Sequence, residues 1–122
     1  MTGTVSPLVS DVLAIAVAED PFPAEQVVAD APTSGWLVLT DLDGVEVGVW
    51  QMTPGTITDT EADEVFCVVS GRGVVEFLDP VADPVELRPG ILVRLQSGWR
   101  TRWTITETLR KIAVVPGEVA QP

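Results

Sequence analysis

The chain has 122 residues, 46% of them apolar, enough for one domain with one core. Eighteen acidic against seven basic side chains give a formal net charge of -11, which repels phosphate backbones and anionic membrane surfaces, so neither nucleic acid nor membrane is an expected partner. There is no histidine and only one cysteine, which excludes histidine acid–base catalysis and leaves carboxylate and carbonyl oxygens as the metal ligands on offer.

Residues 1–33 read as an N-terminal arm, laid on the main domain or on a partner. Leu8, Val12, Ile15 and Ala16 nearly fit a helical stripe, and Leu13, Ile15 and Val17 fit a strand equally well. Pro7, Pro21 and Pro23 keep any element there short. Pro23–Val27 suits a single helical turn opened by proline. From Ser34 the pattern becomes β. Trp36–Leu39 form a strand and Asp41–Gly44 a turn; Val45, Val47 and Val49 then alternate against Glu46, Gly48 and Trp50. Thr53-Pro54-Gly55-Thr56 has the composition of a type II turn. Thr58–Asp63 is a polar loop or short strand carrying Asp59, Glu61 and Asp63.

The central stretch is Asp63–Phe77. Val65–Val69 are continuously apolar, Ser70-Gly71-Arg72-Gly73 interrupts, and Val74–Phe77 resume; this predicts a hairpin. Alternation puts Glu64, Phe66 and Val68 on one face and Val65, Cys67 and Val69 on the other. Asp79–Pro84 reads as a proline-rich turn, and Val85–Leu87 and Ile91–Leu95 as strands. Arg100–Ile105 alternate, Leu109–Val115 form the last strand, and Pro116-Gly117 end it. Short strands every 8–12 residues with turn chemistry between them argue for an all-β sandwich or barrel, here a single domain over residues 34–117.

Two spaced signatures then stand out. Glu64 is followed after six residues by Gly71, with Pro54-Gly55 upstream, and Pro89-Gly90 is followed after five by Gln96-Ser97-Gly98. With Trp50 running into Thr53-Pro54-Gly55, and Arg100-x-x-Trp103 downstream, residues 34–115 resemble the cupin superfamily. The resemblance is to the small subfamily related to (S)-ureidoglycine aminohydrolase and the ethanolamine-utilisation cupins. It implies a double-stranded β-helix, or jelly-roll barrel, and a homodimer. In metal-binding cupins the first motif sets two histidines shortly before the Glu and the second motif adds another. Here those places hold Thr58–Glu61 and about Thr101, and Glu64 alone keeps its ligand type. The expectation is therefore no metal and no cofactor.

The resemblance points both motif faces inward, so Trp50, Met52, Phe66, Thr101 and Trp103 are the expected pocket lining. Apolar walls with a few polar groups describe a site for a small molecule. Glu64 among Trp and Phe would be a desolvated carboxylate, able to act as a general acid or base. A solvated strand end, an arginine pair or a turn cap is the plainer reading of Glu64. Asp59, Glu61, Asp63 and Glu64 also offer oxygens to a hard cation. Arg100 and Arg102 should face away from the interior, and Cys67 reads as a buried structural thiol. Three functions stay open: a metal-independent cupin binding a small organic molecule, a small-metabolite isomerase, lyase or amidohydrolase-type enzyme using Glu64, and a non-catalytic assembly protein. A lone cysteine, the lack of an apolar run near the ~20 residues of a membrane helix and the lack of a signal-peptide pattern suit a cytoplasmic protein.

Overall fold

The structure is a computed structural model that describes residue 3 and residues 5–117. The part of the expected arm at residues 1, 2 and 4 lies outside the described residues. Nine strands follow in order: β1 (Asp20–Pro21), β2 (Val27–Ala29), β3 (Thr33–Leu42), β4 (Val45–Met52), β5 (Gly55–Thr60), β6 (Glu64–Asp79), β7 (Val81–Leu87), β8 (Leu92–Leu95) and β9 (Arg100–Pro116). A single 3₁₀ turn, Ala24–Gln26, follows Pro23. Among the described residues no helix is long and apolar enough to cross a membrane.

Two long strands organise everything else. The second half of β9 pairs with β4 and its first half with β5, while its other edge runs antiparallel to β6 throughout. Likewise β6 pairs with β8 near its start and with β7 near its end. All of these pairings are antiparallel, and the sheet curls into two facing layers that share β6 and β9. One layer reads β1-β3-β4-β9-β6-β8 and the other β2-β5-β9-β6-β7. This is an all-β jelly-roll barrel.

The expected hairpin at Ser70–Gly73 is not there. The chain runs straight through as one strand of sixteen residues, and the ladder between β6 and β9 slips at Val68/Ser70, Ser70/Arg72 and Arg72/Gly73. Such bulges bend a strand and increase its twist, which is how β6 passes from one layer to the other. Gly71 has φ of +92°, and a Cβ there would lie 2.2 Å from the Thr108 carbonyl oxygen. Glycine thus marks a bend in a continuous strand. The two strands expected over 100–105 and 109–115 are likewise one, β9. By contrast Asp43-Gly44, both at positive φ, do make the tight turn between β3 and β4. Pro54-Gly55 turns a corner between strands that do not pair with each other.

Burial follows the pleat. Met52, Phe66, Val68 and Ala113 from one layer meet Ile57, Val75, Leu87, Trp103 and Ile105 from the other in one core. On the outside, Arg110 Nη1 donates to the Val12 carbonyl at 3.1 Å, and the Cα of Gly35 packs closely on the Ala18 carbonyl. The N-terminal segment therefore lies across the outer face of β3, β4 and β9, and Val49 beneath it is fully buried. Arg100 is exposed and Arg102 pairs with Glu76 at 3.7 Å, so both point away from the core. Cys67 is half-buried on the outer face, less enclosed than its apolar flanks suggest.

Candidate functional site

A cavity of about 770 Å³ opens at one end of the barrel, between the layers. Its walls include Phe22, Trp36, Trp50 and Trp103; its polar groups include Asp59, Glu61, Glu64 and Lys111.

The centre of the site is Lys111. It sits on β9 opposite Trp50 of β4 and Val68 of β6, with its side chain only 5% exposed. Its Nζ lies 4.5 Å from the Trp50 ring centroid, 4.2 Å from Phe66 and 4.6 Å from Trp103. Trp103 in turn is 5.6 Å from both Trp50 and Phe66, so three rings close around one ammonium. Ring quadrupoles attract a cation strongly once water is removed. The opposing charge is Glu64, whose Oε2 lies 2.7 Å from Nζ and whose side chain is 13% exposed. The approach has the distance of a hydrogen bond without its alignment, so the contact is best described as an ion pair. Glu64 therefore is not the isolated acid expected among aromatic rings: its charge is met directly by a lysine.

A second carboxylate was visible in the sequence only as part of a charged segment. Glu61 follows β5 and is held by its backbone: its N–H donates to Trp99 O and its carbonyl accepts from Gly98 N–H, both at 2.8 Å. The turn at Gln96–Trp99 thus anchors it over the barrel. Its side chain points inward, and the residue is 7% exposed. Oε2 accepts from Thr101 Oγ1 at 2.6 Å and from Trp103 Nε1 at 3.0 Å, and the same indole N–H also reaches Thr101 Oγ1 at 3.0 Å. Charge-assisted bonds of this length are strong and fix the carboxylate. Asp59, two residues back on β5, is half-buried and accepts from Gln26 Nε2 at 3.3 Å. Burial, reinforced by the Glu61 charge, pushes Asp59 up to about 6. Asp63 lies at the rim, where the Ser97 N–H and then Arg94 hold it below the usual carboxylate range.

Of the residues expected to line the pocket, Trp50 and Trp103 face the cavity, as does Glu64. Met52, Phe66 and Thr101 are fully buried behind it. Phe66 contributes through the lysine cage, and Thr101 by holding Glu61. Phe22, Trp36, Glu61 and Lys111 complete the site and were not singled out from sequence as pocket residues.

The donor set does not fit a transition-metal centre. Glu64 is taken up by Lys111, Glu61 by Thr101 and Trp103, and Asp63 by Ser97 and Arg94. Among the described residues no three acids or thiols converge as a cation site. Asp59, Glu61, Asp63 and Glu64 are thus distributed around the cavity.

A jelly-roll of this size with a polar-floored cavity at one end defines a cupin barrel. The chain belongs to the EutQ-like cupin domain family, whose model matches residues 39–113. Among solved structures, the EutQ protein of Clostridium difficile superposes with a TM-score of 0.60 at 16% identity, covering 80% of each chain. A protein of unknown function from Pseudomonas syringae superposes at 0.71 with 22% identity, covering 86% of this chain and 46% of that one. A putative mannose-6-phosphate isomerase from Ralstonia eutropha gives 0.58 at 22% identity, covering 75% of this chain and 92% of that one. Likeness at these identities speaks for the fold. A search of curated proteins finds no match.

Proposed function

We propose that this cupin binds a small organic molecule in the cavity, independently of any metal or cofactor, in the cytoplasm. The observation that carries the reading is the preformed cavity of about 770 Å³, with aromatic walls and a few fixed polar groups, Glu61, Glu64 and Lys111. Concave, largely apolar sites with a few oriented polar groups are the usual form of small-molecule sites. Metal independence is supported by the Lys111 ammonium, which takes up the one acid that keeps its ligand type in the first motif. Differential scanning fluorimetry against small acids, amides, sugars and amines tests the reading. A concentration-dependent rise in Tm that is lost in Trp50→Ala is expected. If nothing in a chemically broad set shifts the protein, the binding reading fails.

An enzymatic reading is favoured by one feature, the ammonium–carboxylate pair at the cavity floor. A pair of this kind can hold and pass a proton, so Glu64 would serve as general acid or base in an isomerase, lyase or amidohydrolase-type step. A substrate turned over equally fast by Glu64→Gln would remove that role. We further propose a homodimer formed through the outer face of β6, β8 and β9, where Leu92 and Val114 are exposed beside half-buried Val65. Light scattering that gives a monomer mass at micromolar concentration would refute it.

A further inference from the structure

We infer that the ligand of the cavity is a small organic ammonium compound bearing N–H groups, a primary or secondary amine with an apolar body. The inference rests on the binding reading above and names the chemistry of that same site. Among the described residues four carboxylates line the cavity, Asp59, Glu61, Asp63 and Glu64, against one lining cation, Lys111. Lys111 pairs with Glu64 at 2.7 Å and Arg94 pairs with Asp63 at the rim at 3.2 Å, which leaves Asp59 and Glu61 without a cation. The cavity therefore keeps an excess of negative charge, within a chain whose net charge is -11. An anionic ligand would enter against this field, and a cation would enter with it.

Glu61 sharpens the chemistry. It is 7% exposed, lines the cavity, and receives both of its hydrogen bonds on Oε2. Oε1 accepts none from the described residues. Oε1 is not sealed from solvent, so water or a ligand's donor can reach it, and for a side chain this enclosed that access is from the cavity. A quaternary ammonium would bring charge without a donor; a primary or secondary amine brings both. The protein has already solved the same problem once. At the floor it holds its own primary ammonium with one carboxylate and three rings. Above it, Trp36 and Phe22 stand with Asp59 and Glu61 around open space, which repeats those ingredients without an internal cation.

The test is titration calorimetry with four matched probes: benzylamine, benzyl alcohol, benzoate and benzyltrimethylammonium, at pH 7.5 and low salt. Benzylamine should bind at least tenfold more tightly than the alcohol and the quaternary compound, and benzoate should bind most weakly. Glu61→Gln, which keeps an acceptor for Thr101 and Trp103, should lower benzylamine affinity about tenfold and leave the alcohol unchanged. Asp59→Asn, at a half-buried position, gives the same comparison if Glu61→Gln does not fold. Equal or tighter binding of the alcohol or benzoate would overturn the ammonium assignment and leave the binding reading standing. No heat from any of the four probes, together with no Tm shift from the broad set, would take down both.

Discussion

Replacing Lys111 by Met tests the site at its centre. Lysine and Met have similar length, so the cage stays filled while the charge is lost. Removing one partner of a buried ion pair costs about 3–5 kcal/mol, because the other charge is left without compensation. Glu64 is 13% exposed and borders the cavity, so some water can reach it and the loss should fall near the lower end, at ~3 kcal/mol. The cation–π attraction also goes, about 0.5–2 kcal/mol, partly offset by a sulfur–aromatic contact of ~0.3–1.5 kcal/mol. For a domain of this size ~3 kcal/mol corresponds to a fall of about 12 °C in Tm. The second arm is Lys111→Met combined with Glu64→Leu, which removes both charges. Apolar replacement of a whole buried pair is often neutral. The double variant should therefore return to within ~1 kcal/mol of the parent in urea unfolding. A single variant losing less than ~1 kcal/mol, or a double variant as unstable as the single, would refute the account of the pair.

Three further outcomes are expected. Asp59→Asn should stabilise the protein at pH 8 and change little at pH 4. The folded carboxyl is raised to about 6 from 3.8, so its ionisation works against folding as pH rises through that interval. Because Asp59 is only partly buried, the gain is discounted to about 1 kcal/mol, and equal effects at both pH values in urea melts would contradict it. Gly71→Ala should cost at least about 2 kcal/mol, because it adds a steric collision to a left-handed backbone, while Gly98→Ala, at φ +88° with open space around it, should cost about 1–2 kcal/mol from the backbone alone. Comparable urea midpoints for the two would undo the claim that β6 and β9 press together at Gly71. Arg110→Ala removes the hydrogen bonds to Val12 O and Gln51, and should make the N-terminal segment several-fold more sensitive to limited proteolysis with the barrel left intact.

The alternation in residues 45–50 and 100–105 was enough to assign inner and outer faces, and turn chemistry marked most strand ends. What composition did not separate was a glycine turn from a glycine bend. Both need positive φ, and only the pairing of β6 with β9 along its whole length distinguishes them. β5 read as a possible loop because its far end is polar and carries Asp59, a poor strand former, although its Thr residues suit a strand; its register with β9 holds it extended. Lys111 was missed for a similar reason. Leu109, Lys111, Ala113 and Val115 alternate with Arg110, Ile112 and Val114, each series carries one cation, and periodicity alone does not say which faces in. The available signal was an inward Glu64 in need of an opposite charge. Glu61 lay in the segment where the resemblance places histidines, but its inward turn depends on the Gln96–Trp99 loop and on Thr101, which lies forty residues further along the chain.

Because β6 and β9 belong to both layers, neither layer has an independent existence. Prising the barrel open along a seam would mean tearing ladders on both sides at once, so the interior cannot breathe like a hinged shell. Traffic into the cavity has to pass its rim, where Asp63 and Ser97 stand. Selectivity at the threshold is then a matter of rim side chains, with the frame behind them staying rigid.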